Sequence, residues 1–346
     1  MKSAKGLIGA LVLTLAGGAI TGTAVSMGAK PQQIVDNYYE KGVDNFSGLN
    51  LSLPDMDLSD MEEFTVSFDD MESFNEIDIK VYNCPIIIEA SKDGKYSVDV
   101  NLLYHQDSDV PKVEVDNEKL VVENDRKLVV SFFNFDWSAN QYVKIYVPED
   151  KISQINAKTS NSKIEVNGLD LKNGEAELVS SNGSIIVDDV YASEVKADTS
   201  NSEISFKNVK AEVIKIDNSN GKVEMSSCEA EEYDVKTSNS KINAENIYGV
   251  SGELVTSNAA ITLDGVDFLK ELEVKTSNSN IDITLNGKSD DYKIKADTSN
   301  GNVYLDGKKQ DKEYRDKSGD SSIVLKSSNG NIRIKYDENG DNNRDE

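Results

Sequence analysis

The chain predicts an all-β fold: a right-handed parallel β-solenoid of about nine regular 19–22-residue coils, with an irregular strand-rich N-terminal cap and an N-terminal membrane helix. The first observation is a repeated Ser-Asn step at Asn161, Asn182, Asn201, Asn220, Asn239, Asn258, Asn278, Asn300 and Asn329, spaced by 21, 19, 19, 19, 19, 20, 22 and 29 residues. The second is apolar alternation on both sides of each step. The third is a charge-flanked apolar stretch near the start of the chain.

Aligned on the asparagine, apolar residues recur six and four positions before it (Ile155 and Ala157 in the first coil) and three and five positions after it (Ile164 and Val166). A spacing of two on both sides is the signature of strands with one buried face. A strand repeat of about 20 residues cannot bury its apolar face alone, so successive coils must stack. Strands of neighbouring coils then pair in parallel, and right-handed crossovers are expected. Nine coils at the usual strand spacing extend about 43 Å.

Ser-Asn is turn chemistry, because asparagine tolerates left-handed dihedrals and bonds nearby backbone. The following residue is Gly, Ser or Ala, so glycine is not required there and the asparagine itself is expected in the left-handed position. The asparagines should stack amide on amide as a structural turn ladder. A second polar column stands two before each asparagine, from Thr159 and Ser180 to Thr298 and Ser327. It shares the parity of the inward residues, so a hydroxyl-rich ladder is expected near the corner.

Along the chain, residues 1–29 read as a transmembrane anchor or a signal peptide. Lys2 and Lys5 precede an uncharged stretch over residues 6–29, long enough to span a bilayer. The two lysines before it and the acidic chain after it place the bulk outside the cell. The compact apolar core of residues 7–16 and the small residues at 22–24 equally fit a cleaved, secreted precursor. Residues 30–63 form an acidic connector. Residues 64–150 are an irregular β start or cap, in which Phe132, Phe133, Phe135, Trp137 and Tyr142 form an aromatic cluster. Residues 151–336 are the regular solenoid, with a charged insertion at 307–320 that lengthens the last interval. Residues 337–346 are a disordered acidic tail, in which Asp337, Asn339 and Asp341 have the spacing of the first ligands of a calcium loop; Asn342 stands where that loop needs glycine.

Lys plus Arg total 37 and Asp plus Glu 62, a net charge of −25. Such a chain does not bind nucleic acid through its own charges. Cys228 stands eight after its asparagine, where other coils carry Leu169, Val190 and Val209, and reads as an inert core thiol. Cys84 lies several coils away, too far for a bridge.

The repeated Thr-Ser-Asn-Gly/Ser-x-Ile-x-Val units, the strand-rich start and the join YVKIYVPED before the first repeat resemble the bacterial putative-adhesin β-solenoid domain family of unknown function, over residues 64–336. The resemblance implies a β-solenoid in a cell-envelope protein, often behind an N-terminal membrane segment. It implies no catalytic residues.

Polysaccharide-cleaving solenoids need clustered Asp, Arg, His or calcium ligands on one face. Here the one histidine is His105, outside the regular coils, and no arginine occurs between Arg126 and Arg315. The outward positions offer a short acidic stack, Asp198 and Asp217, as the candidate cation ligands, and a basic pair, Lys222 and Lys241. No catalytic residue and no cofactor is assigned. The expected function is a non-enzymatic, membrane-tethered extracytoplasmic module that binds a cell-wall polymer or an envelope protein. The alternatives are a self-assembling envelope scaffold and a polysaccharide-cleaving enzyme.

Overall fold

The structure, a computed structural model, describes residues 62–104, 110–124 and 141–340. The expected membrane helix lies outside these residues; among them no helix is long and apolar enough to cross a membrane. All the described strands join one sheet.

The start of the chain supplies β1 (Glu62–Asp69), β2 (Glu76–Lys80), β3 (Ile86–Ala90), β4 (Ser97–Tyr104), β5 (Lys112–Asp116), β6 (Lys119–Glu123) and β7 (Tyr142–Val147). The repeats supply β8 (Gln154–Thr159), β9 (Ile164–Asp170), β10 (Glu175–Ser180), β11 (Ile185–Thr199), β12 (Ile204–Asn218), β13 (Val223–Thr237), β14 (Ile242–Thr256), β15 (Ile261–Thr276) and β16 (Ile281–Asn286). The last stretch supplies β17 (Tyr292–Thr298), β18 (Val303–Leu305), β19 (Lys308–Gln310), β20 (Glu313–Arg315), β21 (Ser321–Ser327) and β22 (Ile332–Asp337).

From β8 to β16 the coils stack in chain order with parallel pairing, Ile185 on Ile204, Ile204 on Val223 and Val223 on Ile242. The coils of the long strands β11 to β15 have three pairing segments. Between β11 and β12 they run Ile185–Asp188, Val190–Ala192 and Glu194–Thr199, with the ladder interrupted at Asp189 and Ser193. The long strands therefore bend twice around the core.

The first bend explains a break in parity. Val187 and Val190 are both buried although three apart, which simple alternation forbids. A left-handed residue between them re-phases the strand. Gly168 (φ 70), Asp189 (φ 56), Asn208 (φ 51), Ser227 (φ 53), Asn246 (φ 54) and Gly265 (φ 66) form that column, seven after Asn161, Asn182, Asn201, Asn220, Asn239 and Asn258. This corrects the expectation that the ladder asparagines are left-handed. Of the rungs only Asn83, which precedes the Ser-Asn series, has a positive φ (53°).

The core is the expected set of apolar columns. Cys228 is fully buried, and so are its column mates Val190, Val209, Ile247 and Val266. Gly252 occupies an apolar slot without a side chain because the ring of Phe268 fills it. A Cβ on Gly252 would lie 2.8 Å from Phe268 Cε1. Phe268 in turn meets Tyr233 edge-on at 5.6 Å, and the Tyr233 hydroxyl donates to the Tyr248 carbonyl at 3.1 Å.

The ends of the stack depart from chain order. The last coil in sequence, β21–β22, pairs on one side with β15 and β16 and on the other with β17 and β18. It is inserted between its two predecessors, leaving β17–β18 outermost. The other end mirrors this: β2 and β3 pair with both β8–β9 and β6–β7, so the regular stack includes strands before residue 151. Both outer coils are then covered by antiparallel strands. At one end β5 lies on β6 and β4 lies on β7, with β1 beyond it. At the other, β20 lies on β17 and β19 on β18. The charged insertion at 307–320 thus folds as a cap, and its short Lys-, Glu- and Arg-bearing strands blunt the sheet edge.

Candidate binding surfaces

The Ser-Asn corner brings all nine predicted asparagines into one exposed column, joined by Asn83. Asn182 Nδ2 donates to Asn161 Oδ1 at 2.5 Å, Asn201 to Asn182 at 2.6 Å, Asn220 to Asn201 at 2.9 Å and Asn239 to Asn220 at 2.8 Å. Asn258 donates to Asn239 and Asn278 to Asn258, each at 2.7 Å. The ladder then passes to Asn329 and only afterwards to Asn300, with 2.8 Å at both steps. Asn161 closes the column on Asn83. Backbone N–H groups of the same residues donate to the preceding coil, as Asn220 does to Ser200 O at 2.9 Å.

The Thr/Ser column is buried, but its members do not bond one another. Thr199 Oγ1 donates to Gly183 O at 3.1 Å and Thr256 Oγ1 to Ser240 O at 3.0 Å, each crossing to the preceding coil's corner. Where the corner residue is glycine, its N–H also donates back to the column, as Gly183 N does to Ser180 Oγ at 2.9 Å. These glycines are required where they occur: a Cβ on Gly330 would sit 1.7 Å from Ser279 O. Coils with Ser or Ala there make a different corner without that bond.

The face preceding the ladder carries the acidic pair. Asp198 and Asp217 are exposed and directly paired in register, about 4.8 Å apart at the strand spacing. Partial burial, then the charges of Asp217 and Glu177, push the Asp198 carboxyl above its usual range. Among the described residues no group of three or more His, Cys, Asp or Glu side chains is placed to hold a metal ion. Further along the same face an ion-pair network runs from Asp234 to Lys236 (2.7 Å), Lys236 to Glu253 (3.8 Å), Glu253 to Lys275 (2.8 Å), Lys275 to Glu273 (2.8 Å) and Glu273 to Lys326 (2.8 Å). Burial raises the Glu273 carboxyl, but hydrogen bonds from Lys275 and Lys326 outweigh it and hold the group below the usual range.

Lys222, half of the predicted basic pair, is held by Glu203 at 3.0 Å and Glu224 at 3.4 Å, so it joins a mixed-charge face instead of a basic one. His105, Phe132, Phe133, Phe135, Trp137, Asp341 and Asn342 lie outside the described residues. Tyr142 is half-buried, with its hydroxyl donating to Asp99 at 3.3 Å. Asp337 ends β22 and accepts the Asn339 N–H at 3.0 Å.

The third face escapes a reading based on the Ser-Asn step. It places Tyr191, Lys210, Glu229, Tyr248 and Asp267 in one registered column. The signal for it was present in the Asn/Asp/Ser/Gly column seven after the ladder asparagines from Asn161 to Asn258, which marks the bend that creates this face.

These features define an all-β protein of stacked parallel coils with long, flat polar faces. The chain belongs to the Toastrack DUF4097 family, whose pattern matches residues 74–335. Among solved structures it is similar to a putative adhesin from Bacteroides fragilis (14% identity, TM-score 0.40, covering 80% of this chain and 97% of that one). It is also similar to a putative cell adhesion protein from Clostridium sporogenes (14% identity, TM-score 0.22, 80% and 100% covered) and a putative adhesin from Parabacteroides distasonis (13% identity, TM-score 0.33, 80% and 97% covered). No curated protein matches the chain significantly.

Proposed function

We propose that the protein is a non-enzymatic binding or scaffold module of the bacterial cell envelope, tethered to the membrane through residues 6–29 with its coils outside the cell. The observation that carries this reading is the registered repetition of polar groups: ten asparagine rungs and the ion-paired faces beside them recur at one strand spacing along the stack. A rigid array of identical groups suits a linear polymer or an extended partner, because weak contacts add through effective concentration. Lys2 and Lys5 before the apolar stretch support the orientation.

The test is binding of the full-length protein, in mild detergent, to purified cell-wall fractions with calcium and with chelator, beside fractionation of cells expressing it. Saturable wall binding and recovery with the membrane are expected, and calcium dependence would implicate Asp198 and Asp217. Recovery in the cytosol, or no binding to any wall or envelope fraction, overturns the reading. Self-assembly through open ends is disfavoured by the antiparallel strands that pair on the outermost coil strands, β5 on β6 and β4 on β7 at one end, β20 on β17 and β19 on β18 at the other.

A further inference from the structure

We infer that β1 accepts an added strand from another envelope protein, an extended segment carrying lysine or arginine at its ends, which rests on the envelope-binding reading and names the partner for it. Among the described strands, β1, β5, β19 and β20 each have a partner on one side only. In an antiparallel pair alternate backbone N–H and C=O groups point away from the partner, so each of these strands presents an edge.

Three of the four edges are blunted. Strands β19 and β20 are three residues each and carry Lys308, Lys309, Glu313 and Arg315. Strand β5 is five residues, follows Pro111 and alternates Lys112, Glu114 and Asp116 with its valines. Short, charged strands and proline are how sheets avoid further pairing. Strand β1 is different. It runs eight residues, paired with β4 from Glu62 on Tyr104 to Asp69 on Ser97. Its middle, Phe64 to Phe68, holds no charge and no proline.

The side chains say what pattern the added strand has. Phe64, Val66 and Phe68 lie opposite Leu102, Val100 and Val98 of β4, which are fully buried. On β1 the same row is open: Phe64 and Val66 are half-buried and Phe68 is 43% exposed. An apolar row sealed on β4 and open on β1, beside unpaired backbone groups, is completed by one more strand with an apolar residue at every second position. Backbone bonds then supply affinity, and the apolar row and the charges at its ends supply selection.

Charge selects among the possible strands. Glu62 and Glu63 stand at one end of β1, Asp69 and the following Asp70 at the other. Among the described residues only Asp70 of these four is ion-paired, to Lys95 at 2.8 Å. Opposite charges across a strand pair stabilise it and like charges destabilise it. A second copy is a poor match, because antiparallel pairing of β1 with itself sets Glu62 against Asp69 at both ends. The chain's own residues 42–61 are no better: they contain no lysine or arginine, and they include Pro54, Asp55, Asp57 and Asp60. A basic-ended strand from a partner protein satisfies the backbone, the apolar row and the four carboxylates together.

The experiment is hydrogen exchange with mass spectrometry on the full-length protein in mild detergent. The protein is measured alone, with a synthetic peptide that alternates valine and threonine between paired lysines, and with the same peptide carrying glutamates in place of the lysines. Fast exchange in β1 of the free protein is expected, slowed saturably by the lysine-ended peptide and not by the glutamate-ended one. Phe68→Lys, which puts a charge in the apolar row, should weaken the lysine-ended peptide about tenfold. Glu63→Lys, on the exposed opposite row, should weaken it up to about fivefold. Thermal melts check folding, and the exposed site of Glu63 keeps that variant informative if Phe68→Lys unfolds. No added protection in β1 with either peptide, or equal protection with both, overturns the inference. So does a β1 already slow in the free protein, which means that another part of the chain or a second copy fills the edge; sedimentation velocity separates those two. If wall or envelope fractions still bind in any of these events, the edge fails and the envelope-binding reading stands; if they do not, both fail.

Discussion

Asn300 donates its side-chain amide to Asn329 at 2.8 Å, and Asn329 donates to Asn278 at 2.8 Å, so the last rung in sequence lies beneath the one before it. Removing residues 321–346 therefore takes out an internal layer and strips β15–β16 and β17–β18 of the coil that joins them, leaving each with a partner on one side only. A solenoid in chain order would merely shorten. Hydrogen exchange on the truncated protein is expected to show lost protection in β15–β18, not only at the new end. Protection confined to wild-type levels in those strands would refute the insertion.

The ladder makes a second prediction. Asn239 donates to Asn220 and accepts from Asn258. Asn239→Ala removes both bonds from an exposed site, a loss of about 1–2 kcal/mol. Asn239→Asp should lower Tm further, because it sets a carboxylate oxygen against the carbonyl oxygen of Asn220 with no donor between them. Thermal melts of the two variants order the effects; equal or reversed losses would count against amide stacking.

Ser227 is the one residue of the left-handed column that is not Asn, Asp or Gly. A left-handed conformation costs an ordinary L-residue about 1–2 kcal/mol. Ser227→Gly should relieve part of this, partly offset by the freedom glycine gains in the unfolded chain. A rise in Tm is expected, whereas Ser227→Val should lower it sharply.

The Asp198 carboxyl is pushed up by partial burial and by Asp217 and Glu177. A carboxyl with a raised folded-state pKa binds its proton more tightly folded than unfolded. It therefore penalises the fold at neutral pH, and the penalty fades as pH falls through the folded-state pKa toward the ordinary carboxylate range. Asp198→Asn should melt slightly higher than wild type at pH 7, with the difference shrinking on acidification. A constant difference across that range would remove the charge explanation. Because the site is exposed, the gain is at most about 0.5 kcal/mol.

The stacked coils, the asparagine column and the burial of Cys228 were legible because each follows from a fixed offset to the Ser-Asn step. Two things were not. The left-handed column was obscured because asparagine in the ladder looks like turn chemistry by itself, while the residue that bends the strand is Gly, Asp, Asn or Ser by coil. Coil order at the ends was invisible because β21–β22 fits equally well beside any coil with the same apolar slots. Only the hairpins built from residues 307–320, which cannot stack as coils, force Asn300 outward. Of the candidate surfaces, the registered pair Asp198 and Asp217 was readable from spacing. The registered column of Tyr191, Lys210, Glu229, Tyr248 and Asp267 was not, since the bend that sets it off from the neighbouring face has no apolar signature.

The inserted coil also bears on how the molecule comes into being. A ribosome delivers the repeats in order, and most of the stack can grow as each coil emerges. The closing layer cannot. Its site, between Asn278 and Asn300, must be held open or reopened until the final residues leave the exit tunnel. A chain interrupted near its end is therefore not a slightly shorter protein but one with a gap beneath its lid, a defect that quality-control proteases can recognise.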